Sequence, residues 1–238
     1  MVLPVRTLHI DWRRRRYIPQ KKSAILHNIL QSGLVTIFSS HGYDPLKYWS
    51  VHAGKGSIQR VRTPDLAGMT LELMSSSFCT TYISAPEDAR MRICCNMPVL
   101  TLVLEYLNLP FTFELQIKDS RNMKRRYRIS TCQLTSKLGT LTCNMPLGLC
   151  RGWNKIEINL QELARWSYNS NYVEFLGIQI YANCRLRRVY FSDRKYSESE
   201  LPDEYLMKDP VELNMKYNDN TPFTLYPTNL YKDWNWLD

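Results

Sequence analysis

The heptapeptide Phe111-Thr-Phe-Glu-Leu-Gln-Ile117 alternates without a break. Phe111, Phe113, Leu115 and Ile117 fall on one side of an extended chain, and Thr112, Glu114 and Gln116 on the other. Side chains of a strand point to opposite faces in turn, so a period of two over this length specifies a half-buried antiparallel strand. Ile156, Ile158 and Leu160 repeat the pattern around Glu157 and Asn159, and Leu71 with Leu73 and Ile178 with Ile180 do so more briefly. Further strands are predicted at residues 34–38, 80–84, 99–104 and 186–191.

One segment departs from this period. Asn159 is followed three residues later by Glu162, a capping arrangement, and Leu160, Leu163, Ala164 and Ser167 share one helical face. A short helix is expected to end near Tyr168. Ser197 and Glu200 repeat the capping spacing, but Pro202 allows no more than about a turn after it. Many short strands around one helix predict an all-β fold, an antiparallel, jelly-roll-like β-sandwich with extended terminal tails.

The 238 residues suit one such domain of about 200 residues with tails better than two domains. Residues 25–210 are assigned to the sandwich. Residues 1–24 lack periodicity and place Arg13, Arg14, Arg15 and Arg16 between Trp12 and Tyr17, the pattern of a basic arm that orders on contact or of a solvated tail. Residues 211–238 follow, with a break at Asp219-Asn-Thr-Pro222, and form an aromatic tail with Tyr226, Tyr231, Trp234 and Trp236. Those tryptophans need a surface to cover, either the sandwich itself or another protein.

The formal charge is +9, and the segment before His27 supplies six of these charges net, leaving a mildly basic body. Acidic partners are favoured, whether nucleic acid, anionic membrane or an acidic protein surface. Seven cysteines, with Cys94 and Cys95 adjacent, preclude a complete disulfide framework. With no secretory signal in view, a reducing compartment is expected. The strongest apolar run, residues 97–104, is far shorter than the roughly 20 residues of a membrane span, so a soluble chain is expected. The arginine-rich start has some character of a transit peptide, but Asp11 and the scarcity of Ser before Ser23 argue against one.

Signals for catalysis are missing. All four histidines precede Cys79 and no Cys-x-x-Cys pair occurs, so no metal site and no cofactor are expected. Gly54-Lys-Gly-Ser57 lacks the first glycine of a phosphate loop, since position 50 is Ser, and is assigned to a turn. Cys143 and Cys150 have no nucleophile signature around them, and Glu198, Glu200, Asp203 and Glu204 sit in a polar, turn-rich stretch with no reason for a shifted pKa. The expectation is a protein that is not an enzyme.

Two basic clusters remain as candidate partner-binding sites. In Lys124-Arg125-Arg126-Tyr127-Arg128, a strand would put Lys124, Arg126 and Arg128 on one face and Arg125, Tyr127 and Ile129 on the other. That stripe suits a carboxylate-rich protein surface or phosphates, and equally a solvated sheet face. In the run from Arg185 to Phe191 the arginines Arg185, Arg187 and Arg188 divide between faces, so some are assigned to structural ion pairs. Arg194, Arg13 to Arg16, Trp234 and Trp236 complete the candidate set.

The run Gln179-Ile-Tyr-Ala-Asn-Cys-Arg-Leu-Arg-Arg-Val-Tyr-Phe-Ser-Asp-Arg-Lys-Tyr-Ser-Glu-Ser-Glu-Leu-Pro202 closely resembles the C-terminal signature of the cilia- and flagella-associated protein 20 family. Further matches follow in the family's order: Gln31-Ser-Gly33, Pro45-Leu46 with Trp49, Thr80-Thr-Tyr-Ile83, Phe111-Thr-Phe-Glu114, Arg125-Arg126, Gly152-Trp-Asn154, and Asn171-Tyr172 with Glu174. The resemblance spans about residues 26–210.

This resemblance implies a β-sandwich without catalytic activity at the inner junction, where the B-tubule closes onto the A-tubule of the axonemal doublet. It implies contact with tubulin and alternation with the parkin co-regulated protein. It also implies links to basal bodies or centrioles, to tubulin modification and to motility of cilia and flagella, with some members nuclear. The family usually starts near Ile25 and ends soon after Val211, so the arginine arm and the tryptophan tail are additions, and residues 50–109 match only in outline. A specialised paralogue, for instance of the sperm flagellum, fits these departures. The competing expectation is a nuclear nucleic-acid-binding module that uses Arg13 to Arg16 as an address or phosphate clamp.

Overall fold

All of the alternating heptapeptide but Phe111 lies in a strand running Thr112–Asp119, with Phe113, Leu115 and Ile117 fully buried and Glu114 and Gln116 half-exposed, while Thr112, expected on the polar face, is buried against the Ser130 hydroxyl at 2.8 Å. The computed structural model describes residues 25–26, 31–41, 43–63, 68–88, 90–207, 211–215 and 225–227. In chain order the strands are β1 (Leu34–Ser39), β2 (Ser50–His52), β3 (Gly56–Thr63), β4 (Gly68–Ser75), β5 (Tyr82–Ala85), β6 (Val99–Tyr106), β7 (Thr112–Asp119), β8 (Lys124–Ser130), β9 (Lys137–Leu138), β10 (Thr142–Pro146) and β11 (Gly152–Asn159). Helix α1 (Leu160–Tyr168) comes next, then β12 (Tyr172–Tyr181), β13 (Cys184–Ser192), β14 (Val211–Met215) and β15 (Leu225–Pro227).

Two sheets face each other. The first has the order β15-β14-β11-β6-β13-β4-β3, with β1 also on β13; the second has the order β2-β5-β12-β7-β8-β10-β9. Between them one core joins Leu73, Leu102 and Ile156 of the first sheet to Leu115, Ile129 and Ile180 of the second, all fully buried. Each such side chain stabilises the fold by about 1.5–3 kcal/mol through removal of apolar surface from water. The expected all-β sandwich is present.

Most pairings are antiparallel, but two are parallel: β10 with β8, and β14 with β11. Both follow from connections. After β8 the chain lays down β9 two strand positions away and turns back, so β10 fills the slot between them. From β13 the chain must cross the sheet to reach β14 beside β11, because parallel strands need a crossover. Beyond Asp209, where the sequence shows no strand period, β14 and β15 thus extend the edge of the first sheet.

The crossing segment covers the outer face of the first sheet. Ser197 and Glu200 form the expected capping box at a short 3-10 turn, Glu198–Glu200. Beyond it Tyr205 and Met207 pack on Val103, Trp153 and Tyr190. The rings of Tyr190 and Tyr205 meet edge-on at 5.0 Å, and Tyr205 shares a 2.8 Å hydroxyl bond with Thr36.

Helix α1 begins where the capping signal puts it. The Asn159 side chain accepts from the N–H groups of Gln161 and Glu162, and Leu160, Leu163, Ala164 and Ser167 are the buried face. Ser167 Oγ lies 2.9 Å from the Tyr127 hydroxyl, tying the helix to β8. The turn between β2 and β3 is Gly54-Lys55, while Gly56 and Ser57, assigned to the same turn from the sequence, already begin β3; Gly54 has φ +50 with no room for a Cβ against the Thr80 carbonyl. The strand expected from residue 80 starts later, at Tyr82, because Phe78–Thr80 forms a 3-10 turn.

Candidate functional site

Among the described residues no segment crosses the outer face of the second sheet, and the polar alternation of its strands sets what that face displays. On β8, Lys124 and Arg126 are exposed and Arg128 half-exposed, while Tyr127 and Ile129 point into the core. Register places Lys124 opposite Lys118, Arg126 opposite Gln116 and Arg128 opposite Glu114 of β7, and β12 sets Gln179 against Glu114 on the other side. The stripe expected from the sequence therefore forms and is joined to polar groups of two neighbouring strands.

Glu114 is the counter-charge of this stripe. Its carboxylate lies 3.9 Å from Arg126 Nε and 3.7 Å from Arg128 Nη1, and it accepts from the Tyr181 hydroxyl at 3.3 Å. Arg128 stands 6.0 Å above the Tyr181 ring. Burial first, and the Glu114 charge next, push the Tyr181 phenol up to about 12, so it remains a donor at neutral pH. Lys124 has no ion pair within 4 Å among the described residues. Two arginines sharing one carboxylate beside an unpaired lysine leave this face under-neutralised.

Beside the stripe the face sinks into a groove of about 380 Å³. Gln116, Gly177 and Gln179 form its floor, Lys124 and Arg126 one wall, and the loop carrying Pro86, Arg90, Met91 and Arg92 the other. Gly177 keeps the floor low, and a Cβ there would sit 2.9 Å from the Ala85 carbonyl oxygen. Tyr181 closes one end, where it continues into a row of rings with Tyr82 at 5.5 Å and His52 stacked on Tyr82 at 4.5 Å. Across the second wall, Arg90 is held by Asp88 at 2.5 Å and Arg92 by Glu174 at 3.3 Å.

Several expected partner-binding residues are occupied elsewhere. Arg125 faces inward: its guanidinium donates to Asp119 at 2.8 Å and to the Thr140 carbonyl, and it stacks 4.0 Å from the Tyr168 ring. Burial raises the Asp119 carboxyl, but the Met123 N–H and then Arg125 outweigh it and hold it below the ordinary carboxylate range. Sharing a face with Tyr127 and Ile129 was the signal that Arg125 is structural.

On the first sheet, Arg185 donates to Glu72 at 2.7 Å and to Glu105 at 3.2 Å, the structural pairing foreseen for this cluster. Arg187 is the extra residue of a bulge in β13 and donates to the Met69 carbonyl at 2.9 Å. It thereby pins the junction where β4 and β1 share the β13 edge. Arg188 is buried beneath the crossing segment, stacked 4.3 Å from the Tyr205 ring and bonded to the Glu204 carbonyl. Arg194 is exposed but paired with Glu200 at 2.7 Å, and Arg194 with the Ser197 N–H and hydroxyl draws the Glu200 carboxyl down to about 2. Arg13 to Arg16, Trp234 and Trp236 lie outside the described residues.

The groups that could do chemistry are positioned as structure. Burial pushes the Cys143 thiol up to about 11 inside the core, and raises Cys150 in its loop. All seven cysteines are free thiols. Among the described residues no group of three or more His, Cys, Asp or Glu could hold a metal ion, and no helix is long and apolar enough to cross a membrane.

Groove residues Arg90, Arg92, Gln179 and Tyr181 escaped the sequence reading, because cross-strand register and a loop bring them to the stripe. Glu114 and Gln116 were visible as the polar side of β7, but nothing local shows that they adjoin Arg126 and Arg128.

The described residues define an all-β sandwich with one outer sheet face crossed by its own chain and the other bearing a basic stripe. Residues 25–209 match the CFA20 domain, and the chain belongs to that family. It is 40% identical over 185 residues to cilia- and flagella-associated protein 20 of Chlamydomonas reinhardtii, covering 78% of this chain and 97% of that one. The Paramecium tetraurelia protein of the same name is also 40% identical over 185 residues, with the same coverage. The Caenorhabditis elegans protein is 38% identical over 187 residues, 79% of this chain and 92% of that one. Solved structures of an exo-beta-agarase and a xylan-binding domain align at TM-scores of 0.34 and 0.32 with 10% and 9% identity. They cover 71% and 68% of this chain, and 26% and 98% of their own lengths, a likeness too weak to bear on ligand or reaction.

Proposed function

We propose that this protein is a non-catalytic structural component of the cilium or flagellum that docks on axonemal doublet microtubules through the open face of its second sheet. The observation that carries the reading is a family match spanning the whole sandwich, to relatives named for cilia and flagella. The under-neutralised stripe of Lys124, Arg126 and Arg128 supports it, because tubulin's outer surface is acidic and arginine pairs bidentately with carboxylates. The site is the inner junction, with tubulin and the parkin co-regulated protein as neighbours, and the basal body or centriole is a second location.

A tagged copy in ciliated or flagellated cells tests this. The reading predicts signal along axonemes that survives detergent and is released by salt, since surface ion pairs are screened. A nuclear signal with none on axonemes would overturn it in favour of nucleic-acid binding.

A further inference from the structure

The open face is not a flat plate, and its groove has the dimensions and chemistry of a peptide site. It runs along β7 and β12 between two basic walls, Lys124 and Arg126 on one side and Arg90 and Arg92 on the other. A volume of about 380 Å³ lies within the range of pockets that take small ligands or short peptide segments. Lys124, Arg126, Arg90, Arg92 and Glu114 line it; Asp88 and Glu174 pair with Arg90 and Arg92 from behind, and Lys124 is the cation with no ion pair among the described residues. The floor amides of Gln116 and Gln179 each offer both a donor and an acceptor, which suits the alternating N–H and C=O groups of an extended backbone.

We infer that this groove binds an extended acidic peptide segment, whose carboxylates spread to the two basic walls while its backbone lies over Gln116, Gly177 and Gln179. This inference rests on the docking face proposed above and names the part of a partner that the face would grip. Glu114 shows the chemistry in place: a carboxylate already sits against Arg126 and Arg128, and takes a hydrogen bond from Tyr181. Its fixed negative charge beside the floor also opposes an anionic backbone lying there. A peptide lays a neutral backbone over the floor, and its carboxylates, on flexible side chains, can reach Lys124 and join the Arg90–Asp88 and Arg92–Glu174 pairs without crowding Glu114. A glutamate-rich chain is thereby favoured over a nucleic acid, whose charges sit on the backbone itself.

Binding of a fluorescent deca-glutamate peptide to the full chain, followed by polarisation at low and at physiological salt, tests the inference. K124E/R126E is expected to weaken binding by at least about tenfold, as charge reversal at a carboxylate site does. E114Q keeps the Tyr181 contact but frees Arg126 and Arg128, and is expected to strengthen binding severalfold. R62E/R151E, on exposed arginines away from the groove, controls for net charge, and unchanged thermal unfolding controls for folding. Equal losses in the two double variants, weakening by E114Q, or tighter binding of a single-stranded RNA of equal charge would each overturn the groove assignment.

Axonemal retention separates this from the docking reading. Protein retained on axonemes that binds no glutamate peptide overturns the groove assignment and leaves docking intact. Protein absent from axonemes overturns docking, while E114Q-enhanced peptide binding would still support the groove.

Discussion

Arg125 Nε donates to Asp119 Oδ2 at 2.8 Å in the interior of the second sheet, with 7% and 0% of the two side chains exposed. The pair closes the β7–β8 turn, since Asp119 also accepts from the N–H groups of Arg121 and Met123, and Asn122 supplies the positive φ that the turn requires. Removing one member strands the other, which costs far more than the pair's net worth. R125M should therefore lose about 3–5 kcal/mol of stability, read as a drop in Tm on the order of 10 °C for a domain of this size. Partner binding per folded molecule should not change, whereas a surface-binding Arg125 would give the reverse result.

The same pair sets a pH dependence. The Asp119 carboxyl lies below its ordinary value in the folded chain, so its contribution is fully present above the unfolded pKa of about 3.9 and is lost as pH falls through the folded value. Urea unfolding followed between pH 7 and pH 3 should show stability falling at the acid end. D119N should be less stable at pH 7 and should have a shallower acid limb.

Asn154 is fully buried at the start of β11, where it accepts from the Cys150 N–H at 3.0 Å and donates to the Cys150 and Gly152 carbonyls at 2.7 Å each. This explains the Gly152-Trp-Asn154 signature as a brace for a turn in which Gly152 has φ +91. N154A leaves those backbone groups unpaired and is expected to cost about 2 kcal/mol by chemical denaturation. N154D should cost at least as much, because it keeps the acceptor for the Cys150 N–H but sets a buried carboxylate oxygen against the Cys150 and Gly152 carbonyls.

Tyr205 holds the crossing segment to the first sheet. Y205A removes an edge-on aromatic pair, worth about 0.5–1.5 kcal/mol beyond its buried area, and releases the cover over Val103 and Trp153. A modest loss of stability and increased binding of a hydrophobic dye are expected. Binding to microtubules should persist, because the second sheet is untouched.

Strand period was visible wherever one face of a strand meets the core. The Phe111–Ile117 alternation and the Asn159 cap located β7 and α1 to within a residue or two at their ends. The parallel placements of β10 and β14 were not visible, because they depend on which slot a returning chain fills and leave no local period. In β13 the bulge at Arg187 shifts the alternation, so Leu186, Val189 and Phe191 share the core and simple counting misassigns the arginines. The Lys124, Arg126 and Arg128 stripe could be read from one strand, but its groove needed three strands and a loop.

Co-sedimentation with purified doublet microtubules tests the docking face most directly, comparing R126E/R128E with R62E/R151E, which change net charge equally on different surfaces. The account predicts that R126E/R128E loses most of its binding while R62E/R151E keeps it. Equal binding by the two variants would contradict the open face of the second sheet as the docking surface.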